Sequence, residues 1–538
     1  MPRRVLGWPV AAAALAMSWP AAAQNATDAP NAAELVSQAR IAARGDRNAE
    51  AARLFDQAIQ ADPAVRAAVL REFADQLTYS DKAAKAVPLY REVLARPDLA
   101  QDERRWSLSG LALALSWSGQ NRAAVQTYTQ ILAAAPDDLG ALLGRGRVRT
   151  WLRRYAEAES DFRAAIALDP YNHEAWRGLV EAQSYAGHQR EALETLRAGP
   201  AQNDTEGLSL LGRTQFWGGQ PELARDTLTQ ALALDPRQDG IAQLADEVAL
   251  SMRPLAEASV RRATQSDDYD IAQASAWQYF HPGSDLTLGF GYDGAFYRSA
   301  TGPDVDVHRP SVSARLRLSD KVEVNGRLGL VIEDEPGGTD HAADYSTWAT
   351  YIPSDHLRFD LGTSRSTLDN VQSILLDIRT NTYSASVDIG SDAAWKASLR
   401  GSYTAYTDGN SRTWEQVELR RRIGWSPNIF LGARYTHFDF AQVRAGGYFN
   451  PEKLDAVEAL AQVWGKAGRF YYDLRGTIGG EFAEPGDGKP IYSVEGRLTY
   501  LLGKRVQIEG YVNSFSSKLG SAGGFSRTTL GLTLRARW

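Results

Sequence analysis

The sequence predicts an α + β chain of two domains, an N-terminal α-solenoid followed by a C-terminal antiparallel transmembrane β-barrel. Three observations carry this. A quartet of small, aromatic, small and proline residues recurs through the first half. Alternation of apolar and polar residues at period two runs through the second. The chain then closes on Leu530, Leu532, Leu534, Ala536 and Trp538 facing one way, with Thr529, Gly531, Thr533, Arg535 and Arg537 facing the other. One face of that strand suits lipid and the other suits water. Composition changes with the pattern: Ala, Leu and Arg dominate before Pro254, and Gly, Tyr, Thr and Ser rise after it.

The N-terminus reads as an export signal. Arg3 and Arg4 form a short basic region, Val5 to Ala16 is mostly apolar, and Ala21-Ala22-Ala23 offers a peptidase small residues, so cleavage is expected after Ala23. The expected organisation is a signal peptide over 1–23, a disordered mature N-terminus over 24–31, a helical array with a capping helix over 32–253, and a barrel over 254–538. Mean hydropathy is −0.36, and no later stretch approaches the ~20 apolar residues of a transmembrane helix. Membrane insertion, if any, therefore uses strands. The absence of cysteine excludes thiol lipidation, disulfides, cysteine metal sites and cysteine nucleophiles. A net charge of −6 gives no case for a nucleic-acid partner. No pattern implies a cofactor or a metal.

The helical quartet appears as Ala51, Phe55, Ala58, Pro63; as Ala124, Tyr128, Ile131, Pro136; as Ala158, Phe162, Ala165, Pro170; and as Ala224, Leu228, Ala231, Pro236. Weaker copies lie at Ala86, Tyr90, Val93 and at Ala192, Leu196. The step is close to the 34 residues of a tetratricopeptide (TPR) repeat. The small residue lets two antiparallel helices approach, the aromatic fills the gap, and Pro stops the second helix. About six repeats are expected between Ala32 and Pro236, by the period of that motif, with a capping helix over Gln238 to Met252. Such arrays present a concave surface to a partner. Trp176 reads as a packing residue, whereas Trp151 and Trp217 fall nearer the helix-to-helix turns, where they could be exposed.

Strand patterns follow one another from about Leu255. Val322, Val324, Gly326, Leu328 and Leu330 alternate with Lys321, Glu323, Asn325, Arg327 and Gly329, and comparable sets run through 357–364, 395–403 and 492–500. Connections alternate short and long. Ser319-Asp320, Pro353-Ser354 and Gly503-Lys504 are short; Asp334 to Ala343, Thr367 to Ile378 and Gln442 to Lys453 are long. Barrels of this type have short turns at one end and long loops at the other, which puts the C-terminus and the helical array on the short-turn side. Fourteen strands follow Asp285. A further hairpin over Ala256 to Phe280 makes sixteen, the preferred number, and fourteen remain if that hairpin is a linker. Trp348, Tyr351, Trp425, Trp464 and Trp538 suit interfacial girdles. The alternation turns Arg327, Arg358, Asp360, Arg400, Arg434, Asp473, Arg475, Glu495 and Arg497 into the lumen. Their signs are mixed, which argues against selection for one strongly charged polymer.

An alternating last strand that ends on an aromatic resembles that of bacterial outer-membrane barrels. A TPR array ahead of such a barrel resembles the export proteins of synthase-dependent exopolysaccharide systems, those for cellulose and poly-N-acetylglucosamine among them. Gly446-Gly447-Tyr448-Phe449-Asn450-Pro451-Glu452 resembles an element in the barrel of the outer-membrane component of cellulose synthase, and the barrel length is similar to that of the YaiO-type family. The chain has far fewer repeats than the export proteins. The resemblance implies an outer-membrane pore that exports a glycan polymer, with the TPRs in the periplasm docking synthesis or modification proteins. It also implies outer-membrane lipid around the barrel, and barrel-assembly machinery recognising the Trp538 strand. The competing classes are a non-transporting scaffold or surface receptor, and a barrel-borne lipid hydrolase. The last is disfavoured: among the barrel's histidines, His281, His308, His341 and His356 lie in or beside turns and loops, and His437 has no evident carboxylate to orient it. The chain is therefore not expected to be an enzyme.

Overall fold

The computed structural model describes residues 31–538, apart from 201–202, 267, 369, 445–447, 449, 485–487 and 518–524. The expected signal peptide and residues 24–30 of the expected disordered N-terminus lie outside the described residues, as do Gly446, Gly447 and Phe449 of the resemblance motif, whereas Asn31 is ordered as the N-cap of α1, accepting from the Glu34 amide at 2.8 Å. The chain forms two compact units, Met1–Val148 and Arg149–Trp538.

The first unit is helical. It holds α1 (Ala32–Arg44), α2 (Asn48–Ala61), α3 (Arg66–Tyr79), α4 (Ala83–Leu94), α5 (Gln101–Trp117), α6 (Asn121–Ala134) and most of α7 (Leu139–Trp151). Ala51, Phe55, Ala124 and Tyr128 are buried. Pro63 opens a short 3-10 turn directly after α2, and Pro136 follows α6. A glycine signal adds to the quartet. A Cβ on Gly110 would lie 2.6 Å from the Tyr90 ring, and one on Gly144 would lie 2.4 Å from the Tyr128 ring. Only a hydrogen at these positions lets each aromatic lie against the next helix.

The second unit begins with α8 (Tyr155–Leu168), α9 (His173–Ala186), α10 (Gln189–Ala198), α11 (Thr205–Trp217), α12 (Pro221–Leu234) and α13 (Asp239–Ser251). Ala158, Phe162 and Ala224 are buried here, and Pro170 and Pro236 follow α8 and α12. Gly178 and Gly212 repeat the glycine contact, against Phe162 and Leu228.

After Pro254 come β1 (Leu255–Gln265), β2 (Tyr269–Gly283), β3 (Leu286–Ser299), β4 (Val305–Arg317), β5 (Val322–Glu335), β6 (Gly338–Ser354), β7 (Leu357–Thr367) and β8 (Arg379–Gly390). The ring continues through β9 (Trp395–Tyr406), β10 (Ser411–Trp425), β11 (Asn428–Phe440), β12 (Lys453–Ala467), β13 (Phe470–Glu484), β14 (Gly488–Leu501), β15 (Val506–Ser517) and β16 (Phe525–Arg537). Each strand pairs with its sequence neighbours, and β1 pairs with β16 to close a sixteen-strand antiparallel barrel. The hairpin after Pro254 is thus part of the wall, and closure leaves no unpaired strand edge. The outer surface is apolar: Leu328, Leu361, Val457, Ile478, Leu498 and Leu530 are all exposed. No described helix is long and apolar enough to cross a membrane.

Two expectations need correction. The segment Asp334 to Ala343 is not a loop, since β5 runs to Glu335 and β6 starts at Gly338, which also places His341 in a strand. Trp348 and Trp464 do not belong to an outer girdle, because they share the inward register with Thr350 and Gln462. A Cβ on Gly362 would meet Trp348 at 2.3 Å, and Arg422 lies 5.9 Å from the Trp464 ring centroid.

Candidate functional site

The lumen divides by chemistry along its length. From the short-turn end to mid-height the inward face is charged and paired. Arg434 donates to both oxygens of Glu458 at 2.8 Å. Thr477 donates to Glu458 at 2.6 Å and meets Ser493 at 2.7 Å, and Arg475 reaches Glu418 at 2.5 Å. These residues join β10 to β14 in one network. Arg327 donates to Asp293 at 2.7 Å and to Ser311 at 2.9 Å. Arg358 pairs with Asp360 at 2.8 Å, and Arg497 with Glu495 at 2.6 Å. Asp473 accepts from Gln462 at 2.9 Å. Arg400 differs from the other arginines of the set: its partner is the neutral Gln416, at 3.2 Å. Pairing neutralises most of the band, so the lumen carries many polar groups and little net field.

Aromatics interrupt the band. Asn325, Trp348, Arg358, Asp360, Arg400 and Trp414 line one cleft. A second holds Trp464 with Tyr472, Asp473 and Arg497.

Toward the long-loop end the inward face turns apolar, which the alternation did not suggest. After β7 the chain forms a short helix, α14 (Val371–Leu375). Its N-cap, Asn370, accepts from the Ser373 amide at 3.0 Å. Val371 and Ile374 are buried against Tyr297, Val305, Val307 and Val331 of the inner wall. A second cluster joins Ile378, Tyr406, Phe438, Phe440, Leu454 and Ile491, with Tyr448 of the β11–β12 segment packed on it. Tyr448 stacks on Tyr406 with ring centroids 4.7 Å apart and donates to Asp408 at 3.0 Å. Arg379 ties the base of the α14 segment to the wall. Its guanidinium meets Asp377 at 2.6 Å, Asp340 at 2.7 Å and Glu333 at 3.0 Å, with the Glu333 side chain 1% exposed.

At the short-turn end the helices of the second unit meet the barrel. Glu222 accepts from the Ser284 amide at 2.8 Å. Arg317 donates to the Gly219 carbonyl, Arg190 to that of Asp320 and Arg153 to that of Trp425. Asp355 caps the start of α10, accepting from the Arg190 and Glu191 amides at 2.9 and 3.1 Å. Tyr155 packs edge-on to Trp425 at 5.4 Å, and Lys504 meets Asp246 at 2.8 Å. The turns involved include β2–β3 and β10–β11, which face each other across the sixteen-strand ring. His188 sits in this junction, and burial, then the neighbouring His356, hold its imidazole below the ordinary histidine range. Sequence reasoning gave none of these residues a docking role, because no periodicity marks them, and it read Trp425 as a girdle residue where the structure sets it against Tyr155.

Other sequence expectations resolve as follows. Trp176 is half-buried and donates from its indole to the Pro170 carbonyl at 2.9 Å. Trp151 and Trp217 are exposed, and with Tyr79, Trp117 and Tyr185 they put an exposed aromatic in the last turn of each first helix from α3 onward. His437 has a carboxylate after all: its Nδ1 lies 2.8 Å from Asp455, and its Nε2 faces Asp439 at 3.8 Å. Its two ring nitrogens thus face carboxylates rather than a serine. The register that pairs His437 with Asp455 across β11 and β12 could not be read from spacing.

The tetratricopeptide repeat family model matches residues 152–213. No curated protein sequence matches the chain. Among solved structures, the chain is similar to a bacterial polysaccharide outer membrane secretin at 10% identity, over 53% of this chain and 99% of that one, with a TM-score of 0.44. It is similar to a thermophilic TPR protein of Thermus thermophilus at 17% identity over 34% and 99% of the two chains, with a TM-score of 0.30. MamA from Desulfovibrio magneticus is similar at 18% identity over 32% and 97%, with a TM-score of 0.28.

Proposed function

We propose that this chain is a gated outer-membrane pore for export of an exopolysaccharide. On this reading the TPR helices lie in the periplasm and dock synthesis or modification proteins, lipid surrounds the barrel, and assembly machinery reads the Trp538 strand. The carrying observation is the lumen lining from the short-turn end to mid-height, where Trp464 and Trp348 stand among paired charges and Arg400. A sugar chain presents apolar C–H faces and hydroxyls by turns. Indole rings meet the first and charged groups hydrogen-bond the second. Many weak sites in series hold such a chain without trapping it. The apolar packing around α14 and Tyr448 is the gate.

The test is paired. In a deletion strain, complementation with W348A/W464A should leave barrel abundance unchanged and lower secreted polymer. In planar bilayers, oligosaccharide added to the wild type should block current less once both indoles are gone. Bilayers that stay silent for wild type and gate variants alike, with polymer output unchanged by deletion, would favour a surface receptor or scaffold. The apolar packing of α14 and Tyr448 at the long-loop end is the observation that favours that side.

A further inference from the structure

We propose that the junction between the TPR helices and the barrel holds a divalent transition-metal ion, with zinc the best match. The ligands are His188, Glu191 and His356. His188 lies between α9 and α10, Glu191 in the first turn of α10, and His356 in the β6–β7 turn. One ligand atom from each falls within 4.8 Å of the other two. His188 Nδ1 is 3.8 Å from Glu191 Oε2, and His356 Nε2 is 3.6 Å from Glu191 Oε1. Glu159 Oε1 stands 4.0 Å from His188 Nδ1 and is the fourth candidate, its other oxygen being held by Arg163 at 2.7 Å.

These separations are the argument. They exceed the ~2.7–3.2 Å of an N–H···O hydrogen bond, so the groups gather without bonding one another. A tetrahedral zinc with bonds of ~2.0–2.2 Å sets ligand atoms roughly 3.3–3.6 Å apart. The two Glu191 contacts need a contraction of a few tenths of an ångström to reach that spacing, and the widest separation in the group, at most 4.8 Å, needs up to about 1.2 Å. Two further observations agree. His188 Nε2 is buried without a hydrogen-bond partner, so no existing bond fixes that ring against ligation. The Glu191 and His356 side chains are 38% and 44% exposed, which leaves a path for the ion to enter. Neutral imidazoles and one or two carboxylates suit zinc and its neighbours rather than calcium or magnesium. The other carboxylate group with such spacing, Glu333, Asp340 and Asp377, already holds the Arg379 guanidinium and needs no ion. The ion would tie the α9–α10 turn to the barrel's short-turn end, whatever passes through the lumen.

The experiment uses the full chain, purified in detergent and stripped with chelator. Zinc is titrated against a chromogenic competitor, and Co²⁺ serves as a spectroscopic probe. The wild type should take up one zinc per chain with high affinity and give the intense visible bands of tetrahedral cobalt. H188A and H356A should each weaken zinc binding at least about tenfold and abolish those bands, whereas H173A should do neither. His356 lies in an exposed turn, so the heat-modifiable gel shift of H356A should remain that of a folded barrel. Equal zinc uptake by wild type and H188A/H356A, or a cobalt spectrum showing only octahedral coordination, would overturn the proposal.

Discussion

Arg379→Ala should open the long-loop end of the barrel. The guanidinium is nearly enclosed, with its side chain 6% exposed, and it is the positive charge facing Glu333, Asp340 and Asp377. Asp340 and Asp377 reach solvent and can rehydrate. Glu333 cannot: one of its oxygens already lacks a partner, and the other loses its contact with Arg379. Removing one member of a buried ion pair costs ~3–5 kcal/mol. That cost falls on the folded-in arrangement, because swinging the α14 segment outward lets water reach Glu333. At ~1.4 kcal/mol per factor of ten, even the lower figure raises the ratio of displaced to folded-in segments about a hundredfold. The assay is single-channel recording in planar bilayers, with the uptake of large antibiotics by intact cells as a parallel readout. R379A should show frequent long openings where the wild type is mostly closed. Adding E333Q should restore closure in part, since a neutral amide removes the stranded charge. A folded R379A barrel as quiet as the wild type would refute the latch, as would a double variant more open than R379A alone.

Four other expectations test separate parts of the molecule. Gly178→Leu should lower the helical melting transition by circular dichroism, since even a Cβ there would sit 2.3 Å from the Phe162 ring and overpacking costs ~1–3 kcal/mol; the heat-modifiable barrel band should persist. Arg400→Glu should shift reversal potential toward cations, because Arg400 hydrogen-bonds the neutral Gln416 and makes no ion pair among the described residues. Arg434→Glu should instead cut folded barrel yield on the same gel, since it sets two carboxylates face to face at Glu458. Deleting Trp538, whose ring meets Phe280 edge-on at 6.3 Å, should reduce assembled barrel in membranes as measured by gel shift, with unassembled chain accumulating.

The sixteen strands were legible because period two persists through the whole second half, although the alternation of short and long connections fails between β5 and β6. The first hairpin joins the wall through Leu255 opposite Arg537, a pairing across the full length of the domain that no local pattern announces. Parity alone was enough to turn two indoles inward. Trp348 shares its face with Asp344, Ser346 and Thr350, and Trp464 shares its face with Glu458 and Gln462, so both fall in the polar sets. Interfacial aromatics are common enough in barrels to make the opposite reading tempting. The glycines at 110, 144, 178 and 212 recur at the repeat period, and they were equally readable. The gate was not. Val371 and Ile374 carry no periodic mark in a segment of five helical residues, and the residues they bury against come from β3, β4 and β5. Nor could spacing unite His188 with His356, which meet only because α10 docks on the β6–β7 turn.

The two ends of the barrel differ in what can move them, and this bears on what the proposed pore could pass. The long-loop end, read as the gate, is held by apolar burial and one enclosed ion pair. Burying a Val or Ile side chain is worth ~1.5–3 kcal/mol, so Val371 and Ile374 alone set a barrier of several kcal/mol before Arg379 is counted. A ligand shifts such an equilibrium only by its preference for the open form. A small solute touching one lumen site has little to offer. A polymer in register with Trp348, Trp464, Arg400 and the paired charges repeats its weak contacts along the wall, and their sum can match the cost of displacing α14. The short-turn end needs no such sum. It is held by hydrogen bonds to backbone groups at Gly219, Asp320, Trp425, Ser284 and the start of α10, by Tyr155 against Trp425 and by the Lys504–Asp246 ion pair, contacts that water can largely replace. On the proposed reading, a gate driven by the cargo at one end and a helical platform adjustable by partners at the other is the division of labour that export of a long chain requires.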